Sequence, residues 1–537
     1  LTTASQVMIL NRLRLSPTAI LAAFAASMVA LPLIGVVLAA LGPDSADIAG
    51  RDVARYAATS LWLGLLVGCL TAILGTAAAW LVVMHRFPGR RFFSWALALP
   101  LAAPAFALAY GYADLLDVAG PLRIWLRDQW GHDLPFEIRT IGGAAFILSA
   151  AFYPYVYLAM RAAFVNQSVN VLEAAQMLGC GRRTMLFHVA LPMARPALAA
   201  GVALAVMECF ADYGAVQFLS VQTLTTGVVR AWSVYGSTAS AARFALPLLA
   251  AAALLFWVER ASRKGQVHES GRARWRDISP LPLGRLGQVA ASLFCTLLLL
   301  AGLVIPAGWL LWKLLAARPD WAWLLASLKN SLLLGLAGAL VTVALATMLA
   351  LGTRHLPLAG RIASLGYATP GAVMAIGLLA PAGVIWNYMP SSGTGIAILL
   401  LILAYAARLM AAALEPIDAG LARVTPSMRQ AARSLGRSEA GAAWSVELPV
   451  ARGAMLTATL IIFIDILKEL PATLILRPFD FDTLAVIANN YAQDERLGQA
   501  GAPSLLIILL SLPAVIWLTR RVTLARPGQQ DDSDWKE

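Results

Sequence analysis

Twelve stretches of this chain are each apolar over roughly the 20 residues that a helix needs to cross a bilayer. They lie near 19–41, 60–84, 92–116, 140–163, 196–219 and 243–258, then near 286–312, 328–352, 362–386, 394–415, 453–476 and 503–519. Backbone N–H and C=O groups in hydrocarbon must be paired within their own segment, so each stretch is read as a helix. The fold class is therefore all-α and polytopic, with about 12 membrane helices. The composition agrees: 60% of the 537 residues are hydrophobic and 13% are charged, a balance that a water-facing surface does not tolerate.

The net charge of +12 comes almost wholly from arginine. A basic excess can mean nucleic acid, but these arginines stand in short loops between apolar runs, which is how orientation in a bilayer is set. Arg12, Arg14, Arg90, Arg91, Arg161, Arg182, Arg183, Arg260, Arg263, Arg272, Arg274, Arg276, Arg520 and Arg521 all fall on alternate loops. That side is read as cytoplasmic, with both termini on it. The first run is too long for the apolar region of a typical signal peptide and is read as a membrane helix. Cys69, Cys180, Cys209 and Cys295 have neither metal-site nor disulfide spacing.

The chain repeats itself. Glu173 to Gly179 reads EAAQMLG, and nine residues later comes VALP, ending at Pro192. Gln430 to Gly436 reads QAARSLG, and nine residues later comes VELP, ending at Pro449, a constant offset of 257. Upstream, SLWLGLLVG from Ser60 parallels SLLLGLAGA from Ser331. The domain division expected is a first half 1–258, a polar linker 259–284 on the cytoplasmic side, and a second half 285–537. Six helices per half bring each half back to its starting side, so the halves form a parallel repeat about a pseudo-twofold axis along the membrane normal.

The repeated motif resembles the signature loop of permeases in bacterial ABC importers, and here it occurs in the loops 164–195 and 416–452. The resemblance implies the type I importer permease fold, with a short helix in each loop that docks on a cytoplasmic ATPase. The positions that carry it over are Glu173, Ala174, Ala175, Gly179, Leu191 and Pro192, then Gln430, Ala431, Ala432, Gly436, Leu448 and Pro449. Glycine permits the turn between two short helices, and proline marks the start of the next membrane helix. Gln430 departs from the glutamate of the pattern, so a charge-assisted contact is weaker there and the two docking sites are unequal. The chain has no P-loop and no Gly-Lys dipeptide, so it is read as a non-enzymatic subunit. Two copies of a partner ATPase would hold ATP and Mg2+, and this chain would bind no cofactor.

Four acids lie inside apolar runs: Glu208 and Asp212 in the fifth, Asp465 and Glu469 in the eleventh, again offset by 257. Each pair is spaced i, i+4 and shares a helix face. Glu208 is 13 residues beyond Arg195, or about 20 Å along a helix, near the middle of a bilayer core. Acids at that depth face a cavity or a partner. One reading is an acidic ring on the transport path that passes Fe3+ transiently, since a hard cation prefers oxygen ligands. The other is structural: Lys468 adjoins Glu469, and such charges pair to hold helices together, or an acid is protonated by desolvation.

Beyond the loops, the segments Leu99 to Gly120, Glu208 to Trp232 and Lys468 to Ala485 resemble the ferric-iron branch of these permeases. That resemblance implies Fe3+ as substrate, a periplasmic iron-binding protein and alternating access. Asp114 and Asp117, at the outer end of the third run, are where the ion would be received, or else they are simply solvated. Permeases for thiamine, phosphonates, sulfate and polyamines share the loop motif, so an organic solute is the alternative cargo. A secondary transporter would leave the paired loops unexplained.

Overall fold

The computed structural model describes residues 17–43, 50–133, 135–167, 177, 180–181, 184–262, 281–388 and 393–524. The helices that matter in the first half of the sequence are α1 (Pro17–Ala40), α2 (Gly50–Met84), α3 (Ala105–Leu116), α4 (Ile141–Val165), α5 (Arg195–Ala211), α6 (Gly214–Phe218), α7 (Leu224–Ser233) and α8 (Thr238–Ser262). Those of the second half are α9 (Ile305–Ala316), α10 (Trp321–Gly352), α11 (Gly371–Tyr388), α12 (Gly393–Leu421), α13 (Pro426–Ser434), α14 (Leu448–Leu467), α15 (Pro471–Leu476), α16 (Leu484–Gln493) and α17 (Leu497–Leu524). Among the described residues, nine helices are long and apolar enough to cross a membrane, or up to 12 if each of three bent pairs is one span. The outward faces suit lipid. On α2, Leu61, Trp62, Leu65 and Ile73 are exposed while Leu63, Val67 and Thr71 are buried, and the Thr71 hydroxyl is satisfied by the Val67 carbonyl.

Four of the twelve runs are not the straight helices their composition predicts. The run near 92–116 bends by 90° between Arg90–Ala102 and Ala105–Trp130, and the run near 362–386 bends by 106° between Pro357–Gly366 and Gly371–Gly383. Pro104 and Pro370 stand at the two bends, where proline removes a donor and disfavours a helical residue before it. The runs near 196–219 and 453–476 break after Ala211 and Leu467, and α6 and α15 restart the helix beyond. Apolarity records that a segment is buried in lipid or protein, and a break costs nothing on that scale.

Proline also explains the π-helical turns. They span Met185–Ala190, Leu300–Val304 and Ala443–Glu447, and Pro192, Pro306 and Pro449 each follow two residues later. A proline ring clashes with the carbonyl four residues back, and widening the turn relieves that clash. Residues 263–280 of the linker lie outside the described residues; at its end Leu281–Pro282 pairs in parallel with His85–Arg86, the two short strands among the described residues.

By packing, the chain divides into two units. Unit 1 comprises Leu1–Val53, Gly227–Ala253 and Leu325–Val486; unit 2 comprises Ala54–Thr226, Leu254–Leu324 and Ile487–Glu537. Sequence halves are units of repetition, and these are units of packing. Each unit joins the inner helices of one half to a leading helix of the other. In unit 1, α1 packs on α11 and α12; in unit 2, α9 packs on α3 and α17. Small residues let these backbones approach. A Cβ on Gly377 of α11 would strike the Pro32 carbonyl of α1. A Cβ on Gly111 of α3 would lie 2.9 Å from the Pro306 carbonyl oxygen of α9. Gly111 is seven residues beyond Pro104 and Gly377 seven beyond Pro370, so one contact is built twice. Valine at Gly111 or Gly377 is expected to destabilise the chain by about 1–3 kcal/mol through overpacking. Thermal unfolding in detergent measures this, with exposed Gly308 as a control that a Cβ does not crowd.

Candidate functional site

The second signature loop is described throughout. Thr425 caps α13 by accepting from the Met428 amide, and the helix ends at Gly436, whose φ of +81° lies in the left-handed region that glycine favours. Ser438 then caps the turn Glu439–Ala442 by accepting from the Gly441 amide, and the π turn leads through Leu448 and Pro449 into α14. This is the helix, glycine, helix order expected from QAARSLG. Gln430 and Ala431 are exposed and Ala432 is buried. Met428, Leu435 and Trp444 stand exposed on the same loop, 83% of Leu435 and 74% of Trp444 being open. Large apolar groups left in the open mark an interaction surface. In the first loop, Glu173, Ala174, Ala175 and Gly179 lie outside the described residues. Leu191 and Pro192 do lie at the start of the next helix, after a π turn whose Ala190 carbonyl accepts from the buried Gln167 amide at 2.7 Å.

The membrane acids have distinct surroundings. Asp212 follows the last residue of α5, and its Oδ1 accepts from the Ala215 and Val216 amides at 3.0 and 3.1 Å, capping α6. Glu469 does the same for α15: its carboxylate accepts from the Ala472 and Thr473 amides and from the Thr473 hydroxyl. The cap is thus repeated at the offset of 257, from 215 to 472 and from 216 to 473. Beyond that the acids differ. Glu469 has a fully buried side chain and pairs with Arg408 of α12 at 3.3 Å. Among the described residues Asp212 has no ion-pair partner, and it is half-buried. Asp465 pairs with Lys468 at 3.1 Å, so the lysine beside Glu469 serves the other acid of its pair. Glu208 is half-buried.

Two acids at the end of α3 are held by cations. Asp114 accepts from the Trp309 indole at 2.7 Å and pairs with Lys313 at 3.0 Å, both on α9. Asp117 pairs with Arg139 at 2.8 Å, and that guanidinium also stacks over Phe218. Arg408 and Lys313 are the residues the apolar-run reading passed over. The signal for Arg408 was available, since an arginine inside a membrane run implies a partner. Among the described residues, no group of three or more His, Cys, Asp or Glu side chains is arranged to hold a metal ion.

One hydrogen bond ties each set of inner helices together and shows how closely the halves repeat. The Leu224 amide of α7 donates to the Ser60 hydroxyl of α2 at 2.8 Å, and the Leu484 amide of α16 donates to the Ser331 hydroxyl of α10 at 2.8 Å. Ser60 and Ser331 open the two matching sequence segments.

Repeated broken helices, nine to twelve candidate spans among the described residues and a helix-glycine-helix loop leading into a membrane helix define a multi-pass membrane protein of the kind built from internal repeats. Residues 64–266, less than half of the chain, match the family described as "Binding-protein-dependent transport system inner membrane component". It is 25% identical over 463 residues to the Fe(3+)-transport system permease protein FbpB 2 of Haemophilus influenzae, covering 83% of this chain and 86% of that protein. It is 27% identical over 215 residues to the molybdenum transport system permease protein ModB of Escherichia coli, covering 38% of this chain and 93% of that protein. A third relative, the sulfate transport system permease protein CysT of Escherichia coli, is 30% identical over 171 residues, covering 31% of this chain and 59% of that protein.

Proposed function

We propose that this chain is an ABC-importer permease that carries ferric iron inward by alternating access. The observation that carries the proposal is the extent of likeness: proteins named for Fe(3+) or ferric transport match 83% and 87% of the chain, whereas those named for molybdenum and sulfate match 38% and 31%. The acids at the helix breaks support it, because carboxylate oxygens in a low-dielectric setting attract a hard cation and repel an oxyanion. Two partner ATPase subunits dock on the signature loops at Glu173, Gly179, Gln430 and Gly436, and a periplasmic binding protein delivers the ion. The groups that meet the ion are Glu208 and Asp212; Asp465, already paired with Lys468, is given no part. Glu469 is bound to Arg408 and acts as a structural acid. Asp114 and Asp117 are given no part in receiving the ion, since each already has a cation.

The second reading is an oxyanion cargo, favoured by the likeness of 38% and 31% of the chain to the proteins named for molybdenum and sulfate transport. The test is uptake of labelled ferric iron into vesicles holding the chain, its ATPase and its binding protein. ATP-dependent uptake that unlabelled iron competes, and that molybdate, sulfate, thiamine and a phosphonate do not, is the expected result. ATP-dependent uptake of one of the others instead would discard iron and keep the permease.

A further inference from the structure

The second signature loop contains a buried charge cluster that no loop motif requires. Glu447, in the π turn that opens α14, has a side chain only 5% exposed. Arg354, just beyond α10, grips both of its oxygens, Nη1 to Oε1 at 3.2 Å and Nη2 to Oε2. Arg429 of α13 brings its Nε to 3.2 Å from Oε1. One carboxylate therefore joins the loop helix, the end of a membrane helix and the start of another. Next to it, Glu439 accepts from His355 at 2.7 Å and from the Thr18 hydroxyl of α1 at 3.4 Å. Glu447 leaves no oxygen without a cation, so neutralising it takes the shared carboxylate from two partly exposed guanidinium groups, of which Arg429 keeps the Val424 carbonyl.

At the matching positions the sequence of the first loop offers neither charge. At the same offset of 257, Glu447 corresponds to Ala190 and Arg429 to Leu172. What holds that turn instead is the neutral bond from the Gln167 amide to the Ala190 carbonyl. The loop with the full EAA motif thus has the neutral tether, and the loop with Gln430 has the charged one.

We infer that Glu447 is a positioning residue: with Arg354 and Arg429 it locks the second loop to the ends of α10 and α14, so that the two loops pass motion to the membrane helices through unequal linkages. The inference rests on the proposed docking of ATPases at these loops only for its second clause. A charge-assisted clasp resists rotation of α13 relative to α14, and so makes loop and membrane helix one rigid lever. A loop lacking the signature glutamate gains from such rigidity, because a pre-ordered surface loses less entropy on docking.

The test uses the full permease in two settings. In the permease alone, amide hydrogen exchange is followed over 426–447 and over 184–193. Glu447→Gln is expected to raise exchange in 426–447 by about tenfold or more and leave 184–193 unchanged, and Glu447→Asp to recover most of the protection. In the reconstituted complex, transport per ATP hydrolysed is expected to fall by a similar factor in Glu447→Gln, with ATP hydrolysis itself retained. Arg429→Gln, at a residue whose side chain is 29% exposed, repeats both measurements should Glu447→Gln fail to fold. Unchanged exchange in 426–447 in these variants would overturn the clasp. Raised exchange with unchanged transport per ATP would overturn the lever. A wild-type complex without ATP-dependent transport would count against the permease proposal and leave the exchange result standing.

Discussion

Glu469→Ala should be among the most destabilising single substitutions in this chain, costing about 3–5 kcal/mol, because it leaves Arg408 buried without its carboxylate. A smaller loss adds to this, since the Ala472 and Thr473 amides lose their cap. The more searching experiment concerns size. A Cβ placed on Gly371 would strike Glu469 Oε1, so Gly371→Ala alone should cost about 1–3 kcal/mol by overpacking. Counting from Pro104 and Pro370, Gly371 corresponds to Ala105, and Glu469 corresponds to Asp212. One half combines the smaller residue with the longer acid; the other combines alanine with the shorter. The double variant Gly371→Ala/Glu469→Asp copies the first half's pairing into the second. It should be more stable than the sum of the single losses by about 1 kcal/mol or more, a coupling expected only of residues in contact. Unfolding midpoints of the four proteins in one detergent give the coupling directly, and additive losses would sink the proposed match between the halves.

The sequence signals that proved readable were those that depend on composition or exact spacing. Apolar runs located the spans because each needs about 20 residues of hydrocarbon contact. The constant offset of 257 matched the two signature loops, and the same offset relates the caps at Asp212 and Glu469 in three dimensions. What stayed hidden depends on partners distant along the chain. Nothing near Pro32 announces that its carbonyl will face Gly377, and nothing near Pro306 announces Gly111. The packing of a leading helix onto the opposite half's inner helices is therefore invisible to a repeat, which aligns like with like. The acids illustrate the same limit. Spacing alone made Glu208, Asp212, Asp465 and Glu469 look equivalent, yet Arg408 on α12 binds one of them and Lys468 another. Proline was the signal left unused: Pro104 and Pro370 mark the bends, and a bent helix at depth is where cargo sites form in transporters.

Asp212→Asn should separate the two readings of that acid. Asparagine is as good an N-cap as aspartate, so the amides of Ala215 and Val216 keep an acceptor and α6 stays in place. What disappears is the charge. At an effective dielectric near 20, a carboxylate about 4 Å from a unit positive charge contributes about 4 kcal/mol, and more for a multivalent ion. Losing even a third of that should slow ferric iron uptake by about tenfold, while thermal unfolding and detergent-solubilised yield remain those of the parent chain. Asp212→Leu removes cap and charge together and should lose both uptake and stability. If Asp212→Asn transports iron at the parental rate, the acid is a helix cap and nothing more, as its counterpart Glu469 is a cap and an ion-pair partner. An oxyanion cargo predicts the opposite sign: removing a negative charge from its path lowers a barrier, so molybdate or sulfate uptake should hold or rise in Asp212→Asn. The same variant, assayed with labelled iron and with labelled molybdate, therefore tests the role of the acid and the charge of the cargo together.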